Sequence, residues 1–187
     1  MGWFFDPLRP LHYELIVIDA PWPLVMRSAK GYRKSAEYHY STMDAAAIKT
    51  MPVGRLASMD CLLLCWATAP RLPLALAAIE AWGFAYKSLL MWRKMTKNGK
   101  VRLGTGYRVR STGELVIVAT LGNPRQSYVP HTIFDGLARQ HSRKPDEFYA
   151  MCDRLMPSAR RCDLFAREAR PGWDAFGNET TKFGAFS

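Results

Sequence analysis

Seven residues near the amino end, Tyr13–Asp19 (YELIVID), constrain the fold more than any others. Leu15, Ile16, Val17 and Ile18 are apolar in succession. A strand sends alternate side chains to opposite faces, so a run this apolar must be covered on both. A sheet with one wet face would show polar–apolar alternation instead. Cys61–Ala67 repeats the pattern, and Tyr86–Trp92, Glu114–Leu121 (ELVIVATL) and Cys162–Phe165 add three more strands, the last ending the set. Helical signals lie between them. Ser41-Thr42-Met43-Asp44 reads as a capping box opening a helix that ends near Pro52. Leu72–Trp82 is rich in Ala and Leu and closes on Gly83, a residue suited to the left-handed turn after a helix. Pro145 opens a helix through about Met156, with Asp146 and Glu147 at the positive end of its dipole. Strands alternating with helices predict an α/β fold: one mostly parallel central sheet flanked by helices on both faces. The 187 residues suit a single domain spanning 1–187.

Composition narrows the class. Hydrophobic residues make up 49% of the chain, enough for a packed core and against disorder. The longest apolar candidate for a membrane span, Cys61 to Ile79, is broken by Pro70, Arg71 and Pro73, so no membrane partner is expected. The start, MGWFFDPLRP, lacks the basic-then-apolar form of a signal peptide, and the interior of a cell is the expected compartment. The four cysteines form no CxxC pair, and no His stands at zinc spacing from them, so they read as reduced structural thiols with no metal site.

The formal net charge of +10 points to an anionic partner, most often nucleic acid. Its placement sharpens the reading. Two stretches, Pro23–Tyr40 and Met95–Thr112, resemble no regular element and read as mobile loops near 23–40 and 95–112. Both follow strands, and in open α/β sheets ligands bind beyond the carboxyl ends of strands. Lys87–Arg110 contains Lys87, Arg93, Lys94, Lys97, Lys100, Arg102, Arg108 and Arg110 and no acidic residue. The first loop has Arg27, Lys30, Arg33 and Lys34 followed by Tyr38, His39 and Tyr40. Cations interleaved with aromatics suit a phosphate backbone and stacked bases; two solvated loops are the plainer alternative.

The first strand runs into Asp19-Ala20-Pro21-Trp22. An exocyclic amino group on a base is a poor nucleophile, because its lone pair is delocalised into the ring. A carboxylate accepting one N–H and a backbone carbonyl accepting the other would aim that lone pair outward. Asp19 offers the carboxylate and Ala20 the carbonyl. Pro21 fixes its own φ and biases Ala20 to an extended conformation, which preorganises the carbonyl. Trp22 could stack on the base, and a target inside a duplex would have to be flipped out. A plain strand-ending turn with Trp22 in the core accounts for the tetrapeptide alone equally well.

At this point the sequence resembles a family. Asp19-Ala20-Pro21-Trp22 is similar to the D-P-P-W motif of the MT-A70 family of adenine-N6 methyltransferases. YHYSTMDAAAIKTMPV (Tyr38–Val53) is similar to that family's Y-x-T-M segment and following helix. HSRKPDEFYAMCDRL (His141–Leu155) is similar to its S-x-K-P-D-E helix, and DLFAREARPGWDAFGNE (Asp163–Glu179) to its closing block. The resemblance covers about Tyr13 to Glu179. It implies a Rossmann-like methyltransferase fold, S-adenosylmethionine as cofactor, and the β-class motif order with the catalytic block first. That order agrees with the lack of a glycine-rich dinucleotide fingerprint near the amino end; Gly104-x-Gly106 precedes no helix.

By the resemblance, Asp19, Ala20, Pro21 and Trp22 carry catalysis and Asp19 also reaches the methionine part of the cofactor. Lys144, Phe165, Arg167, Asn178 and Glu179 are implied as cofactor contacts, Lys144 at the methionine end and Glu179 at the ribose. Tyr40 is implied near the substrate, where the basic chains Arg93, Lys97, Lys100, Arg102 and Arg108 are expected as well; Trp173 reads as core. The sequence departs from the family at Ala20, which replaces a proline, and at Glu168 and Ala169. Met1–His12 is short for the family, so the adenine side of the cofactor is expected to be open or covered by a partner subunit or second copy. The expected function is methyl transfer to adenine in DNA of a bacterial or phage-infected cell. RNA adenine methylation and a non-catalytic nucleic-acid-binding subunit are the alternatives.

Overall fold

The computed structural model describes residues 2–23, 42–106, 108–140 and 142–183. Seven strands form one sheet in the order β5-β3-β4-β2-β1-β6-β7. They are β1 (Tyr13–Ile18), β2 (Ala57–Ala67), β3 (Ala85–Met95), β4 (Gly113–Leu121), β5 (Ile133–Leu137), β6 (Arg161–Leu164) and β7 (Trp173–Phe176). The helices are α1 (Ala45–Thr50), α2 (Leu72–Ala81) and α3 (Asp146–Leu155). β1 pairs parallel to β2 and β6, β6 to β7, and β3 to β5, while β4 is antiparallel to both β2 and β3. Among the described strands β4 alone opposes the rest, so the sheet is mostly parallel, as the run pattern predicts.

β1 occupies an interior position, and its side chains divide by parity. Ile16 and Ile18 join Ile48, Ala75, Ala78, Ile79 and Trp82 on the face covered by α1 and α2. Leu15 and Val17 join Phe148, Tyr149, Cys152 and Leu155 of α3 on the other. Leu62, Leu63, Leu64 and Cys65 of β2 alternate in the same way between the two clusters. The unbroken apolar runs exist because both faces are dry. The four cysteines are free thiols buried in these layers, and burial pushes Cys61 up to about 12.

Several elements differ from expectation. The cap of α1 is Asp44, whose side chain accepts from the Ala47 N–H at 2.7 Å; Ser41 lies outside the described residues. β5 and β7 are strands that the apolar pattern does not show, so Cys162–Phe165 is not the last. Each is short, and β5 (IFDGL) includes an Asp and a Gly. Gly136 is required there: a Cβ would lie 2.7 Å from the Pro145 ring and 2.8 Å from Trp92 Nε1. The indole of Trp92 donates instead to the Gly136 carbonyl at 2.9 Å. β7 gains its place from pairing with β6 and from Phe5, whose ring meets Phe176 edge-on at 5.1 Å.

The second loop is largely without regular structure, as expected, but folds back on itself through backbone hydrogen bonds. β3 continues to Met95, Met95 bridges Val101, Arg102 N–H donates to the Lys94 carbonyl, and Gly104 N–H donates to the Ser111 carbonyl. Residues 95–106 and 108–112 therefore form an arm that doubles back on itself beyond the ends of β3 and β4. Of the first loop, residues 24–41 lie outside the described residues, Tyr40 among them.

Leu63 is fully buried at the centre of β2. Leu63→Ala is expected to cost about 2–5 kcal/mol, as large-to-small core changes do. A denaturant titration of both proteins measures it as a lower midpoint with an unchanged slope.

Candidate active site

Four segments meet at one end of the sheet. β1 and β6 are parallel and end there, so Asp19 follows Ile18 beside Leu164, whose carbonyl accepts the Asp19 N–H at 3.3 Å. β4 runs the other way and therefore begins there, with Glu114 as its second residue. The turn into α3 supplies Lys144. Lys144 Nζ lies 3.0 Å from Asp19 Oδ2, 2.9 Å from Glu114 Oε2, and 4.7 Å from the centre of the Trp66 ring. Lys94 closes the chain at 2.5 Å from Glu114 Oε1. Cations and carboxylates alternate as Lys94, Glu114, Lys144, Asp19.

Burial opposes the charges of Lys144 and Glu114, and pairing outweighs it. The Lys144 side chain is only 10% exposed, yet Asp19 and Glu114 hold its ammonium well above the usual lysine range. Burial also works against the Glu114 carboxylate, but Lys144 and Lys94 pull it down to about 2. Asp163 of β6 behaves differently. It is 5% exposed and accepts from the Tyr149 hydroxyl at 2.7 Å. Burial, reinforced by the charge of Asp19, raises its carboxyl to about 7.

A rim of ion pairs steadies the segment before α3. The Arg143 guanidinium makes two bonds to Glu168, at 3.1 and 2.9 Å. Arg170 meets Glu168 and Asp146 at 2.9 Å each. Arg139 pairs with Asp146 and donates to the Lys144 carbonyl at 2.9 Å. Behind this rim lies a cleft lined by Asp19, Lys144, Asp163, Phe165, Arg167 and Phe183, among others. Ammonium and guanidinium groups stand beside carboxylates, with aromatic rings between them. That donor set fits a molecule carrying both an amino-acid zwitterion and an aromatic ring, as the implied cofactor does.

The tetrapeptide is tightly held. Ala20 is buried, and its carbonyl accepts the Trp22 N–H at 2.8 Å, leaving its second lone pair available. The Trp22 indole packs partly buried against the core and donates to the Trp66 carbonyl at 3.0 Å, so its ring is fixed in place. Pro21 offers its carbonyl to Met43 N–H at 3.0 Å. Of the other expected residues, Phe165 and Arg167 line the cleft with Lys144. Glu179 is engaged by Arg167 at 3.4 Å and Lys182 at 2.5 Å, and Asn178 is exposed next to it. Arg93 makes a bidentate pair with Asp135 at 2.6 and 2.7 Å, so its charge is largely matched within the fold. Lys97, Lys100, Arg102 and Arg108 are exposed on the arm, and Arg102 reaches the Arg139 carbonyl at 3.4 Å.

The sequence pattern does not single out Glu114, Asp163 or Arg143. The available signal for Glu114 was an acidic residue heading an otherwise apolar strand. Among the described residues no group of three His, Cys, Asp or Glu side chains could hold a metal ion.

A family model described as MT-A70 matches residues 13–179. The chain is 31% identical to the "N(6)-adenosine-methyltransferase MT-A70-like" protein of Arabidopsis thaliana, over 89% of this chain and 24% of that one. It is 28% identical to "Type II methyltransferase M.MunI" of a Mycoplasma species, over 94% of this chain and 81% of that one. With "N(6)-adenine-specific methyltransferase METTL4" of Mus musculus the identity is 28%, over 91% and 38%. The chain thus spans about a quarter of the plant relative and about four fifths of the Mycoplasma one.

The shift of Asp163 has a thermodynamic consequence. Its carboxyl is raised to about 7 on folding, so the folded chain keeps a proton that the unfolded chain releases near pH 4. More protons bound in the folded state mean stability falls as pH rises between about 4 and 7. Thermal unfolding across that range is expected to show the decline, and Asp163→Asn is expected to flatten it.

Proposed function

The chain belongs to the MT-A70 family, and from that premise we propose that it is an S-adenosylmethionine-dependent methyltransferase acting on the 6-amino group of adenine in DNA. The observation that carries the reading is the placement of Asp19. Its carboxylate stands at the end of β1, is held by Lys144 at 3.0 Å, and opens on a cleft of mixed charge and aromatic character. The compact form shared with the Mycoplasma type II enzyme favours DNA. RNA is the second reading, favoured by the adenosine-methyltransferase names of the plant relatives.

The chain's own residues prepare the nucleophile. Asp19 accepts one N–H of the amino group, and the free lone pair of the Ala20 carbonyl accepts the other. The nitrogen then becomes more tetrahedral and its lone pair points away from both acceptors. Lys144, 3.0 Å from Asp19 Oδ2, fixes the orientation of that carboxylate. Trp22 forms a rigid aromatic wall against a flipped-out base. Lys144, Asp163, Phe165 and Arg167, which line the cleft, would hold the cofactor together with Asn178 and Glu179. When bound, S-adenosylmethionine supplies an electrophilic methyl group. The surplus proton of the methylated amino group leaves on the side of Asp19, the base in contact with it.

Asp19→Asn keeps the size of the side chain but replaces an acceptor oxygen by a donor. Transfer is expected to fall by about 10²-fold or more, on the scale of losing one preorganised transition-state contact. The assay is labelled methyl transfer to matched duplex DNA, single-stranded DNA and RNA, followed by digestion to nucleosides. Label in 6-methyladenine from a DNA pool supports the reading; label from RNA alone selects the second; none in any pool overturns both. Unchanged turnover in Asp19→Asn removes that residue from the mechanism.

Exposed Lys97, Lys100 and Arg102 lie on the arm, and Arg102 reaches the cleft rim at the Arg139 carbonyl. Binding is expected to weaken as salt rises, because counterions are released from each neutralised phosphate. Replacing all three with Gln is expected to lower the slope of log K against log salt by about 2–3. Titrations at several salt concentrations read that slope, and an unchanged value would return the arm to a solvated loop.

A further inference from the structure

The arm formed by residues 95–106 and 108–112 has a feature that phosphate binding leaves unexplained. Three of its apolar side chains face solvent: Val101 is 39% exposed, Leu103 61% and Val109 82%. Val109 lies at the far tip, between Arg108 and Arg110. The chain approaches itself closely on either side of the tip. Gly104 N–H donates to the Ser111 carbonyl at 2.6 Å, closing the ribbon. A Cβ at Gly106 would fall 1.9 Å from the Val109 carbonyl oxygen, so only glycine permits the two strands to approach there. The foot of the arm is tied to the catalytic end of the sheet. Glu114, two residues past Thr112, bonds Lys144 at 2.9 Å, and Lys144 bonds Asp19 at 3.0 Å. Arg102 joins the arm to the cleft rim through the Arg139 carbonyl.

A solubilising loop gains nothing from an apolar tip, and an apolar tip flanked by two arginines repels neither a phosphate backbone nor a base stack. Proteins that distort duplex DNA combine these elements: cations that grip phosphates and an apolar side chain that enters between bases. A flipped-out adenine leaves a gap in the stack that such a side chain can fill. We propose that Val109 is a wedge that enters the base stack of duplex DNA and holds it open while the target adenine sits at Asp19. This rests on the DNA reading above and names the step that makes a duplex usable. Arg108 and Arg110 secure the wedge on the two flanking phosphate runs, and Leu103 continues the apolar edge behind it.

The duplex is the state that needs a wedge; a single strand has no stack to open on the opposite side. The experiment compares the wild type with Val109→Ser on one plasmid DNA, offered intact and heat-denatured. The quantity read is the ratio of duplex to single-strand kcat/KM for labelled methyl transfer. That ratio is expected to fall about 10-fold or more in Val109→Ser, and to be restored by Val109→Leu, which keeps the side chain apolar. Because Val109 is almost fully exposed, neither change disturbs the core. A ratio unchanged from the wild type, or a wild type active on single strands alone, overturns the wedge and leaves the DNA reading intact. A wild type inactive on both forms overturns the DNA reading and the wedge with it.

Discussion

The buried ammonium of Lys144 is the interaction on which the cleft depends. One cation, nearly out of water, is bonded to two carboxylates from different parts of the fold. An isolated charge in that position would be costly. Paired, Lys144 and Glu114 stabilise one another's ionised state. Trp66 completes the arrangement by placing its ring below the ammonium and its carbonyl under the indole of Trp22. Removing any one partner leaves an uncompensated buried charge, so this network couples the stability of the sheet end to the chemistry it supports.

That network exists because one strand is reversed. With β4 parallel to its neighbours, Glu114 would begin at the opposite end of the sheet from Asp19. The antiparallel insertion brings the start of β4 and the end of β1 together, with β2 between them. It also starts and ends the β3–β4 connection on adjacent strands at that same end, so the basic arm and the Asp19–Lys144–Glu114 cluster share one end of the sheet.

Charge is used in two ways across the molecule. Around the cleft it is matched: Arg139, Arg143 and Arg170 are bonded to Asp146 and Glu168, and they steady the turn that presents Lys144. On the arm it is exposed to solvent, where Lys97, Lys100 and Arg102 contribute to the net +10. Arg93, which belongs to the same run of sequence, goes to the first class through Asp135. A tally of basic residues along the chain does not separate these roles. Asp163 stands apart from both: its hydrogen-bond donor is a tyrosine hydroxyl rather than a cation, and burial raises its carboxyl to about 7.

The double-sided burial of β1 and β2, the α/β class, the termini of α2 and α3, and the reduced cysteines were legible in the residues themselves. They rest on local rules: unbroken apolar runs, glycine after a helix, acidic residues at a helix start. Asp19 and Lys144 were legible through their motifs. Tertiary structure decided what local rules do not encode. β5 and β7 are too short and too polar to declare themselves and exist through pairing with β3 and β6. Glu114 reads as the edge of an apolar strand until the reversal of β4 sets it against a lysine 30 residues away in sequence. Sequence determines which segments must be buried, because burial follows from hydrophobicity and period. It does not determine which buried charges meet, because that depends on the direction and order of strands, and those are settled only when the whole sheet is assembled.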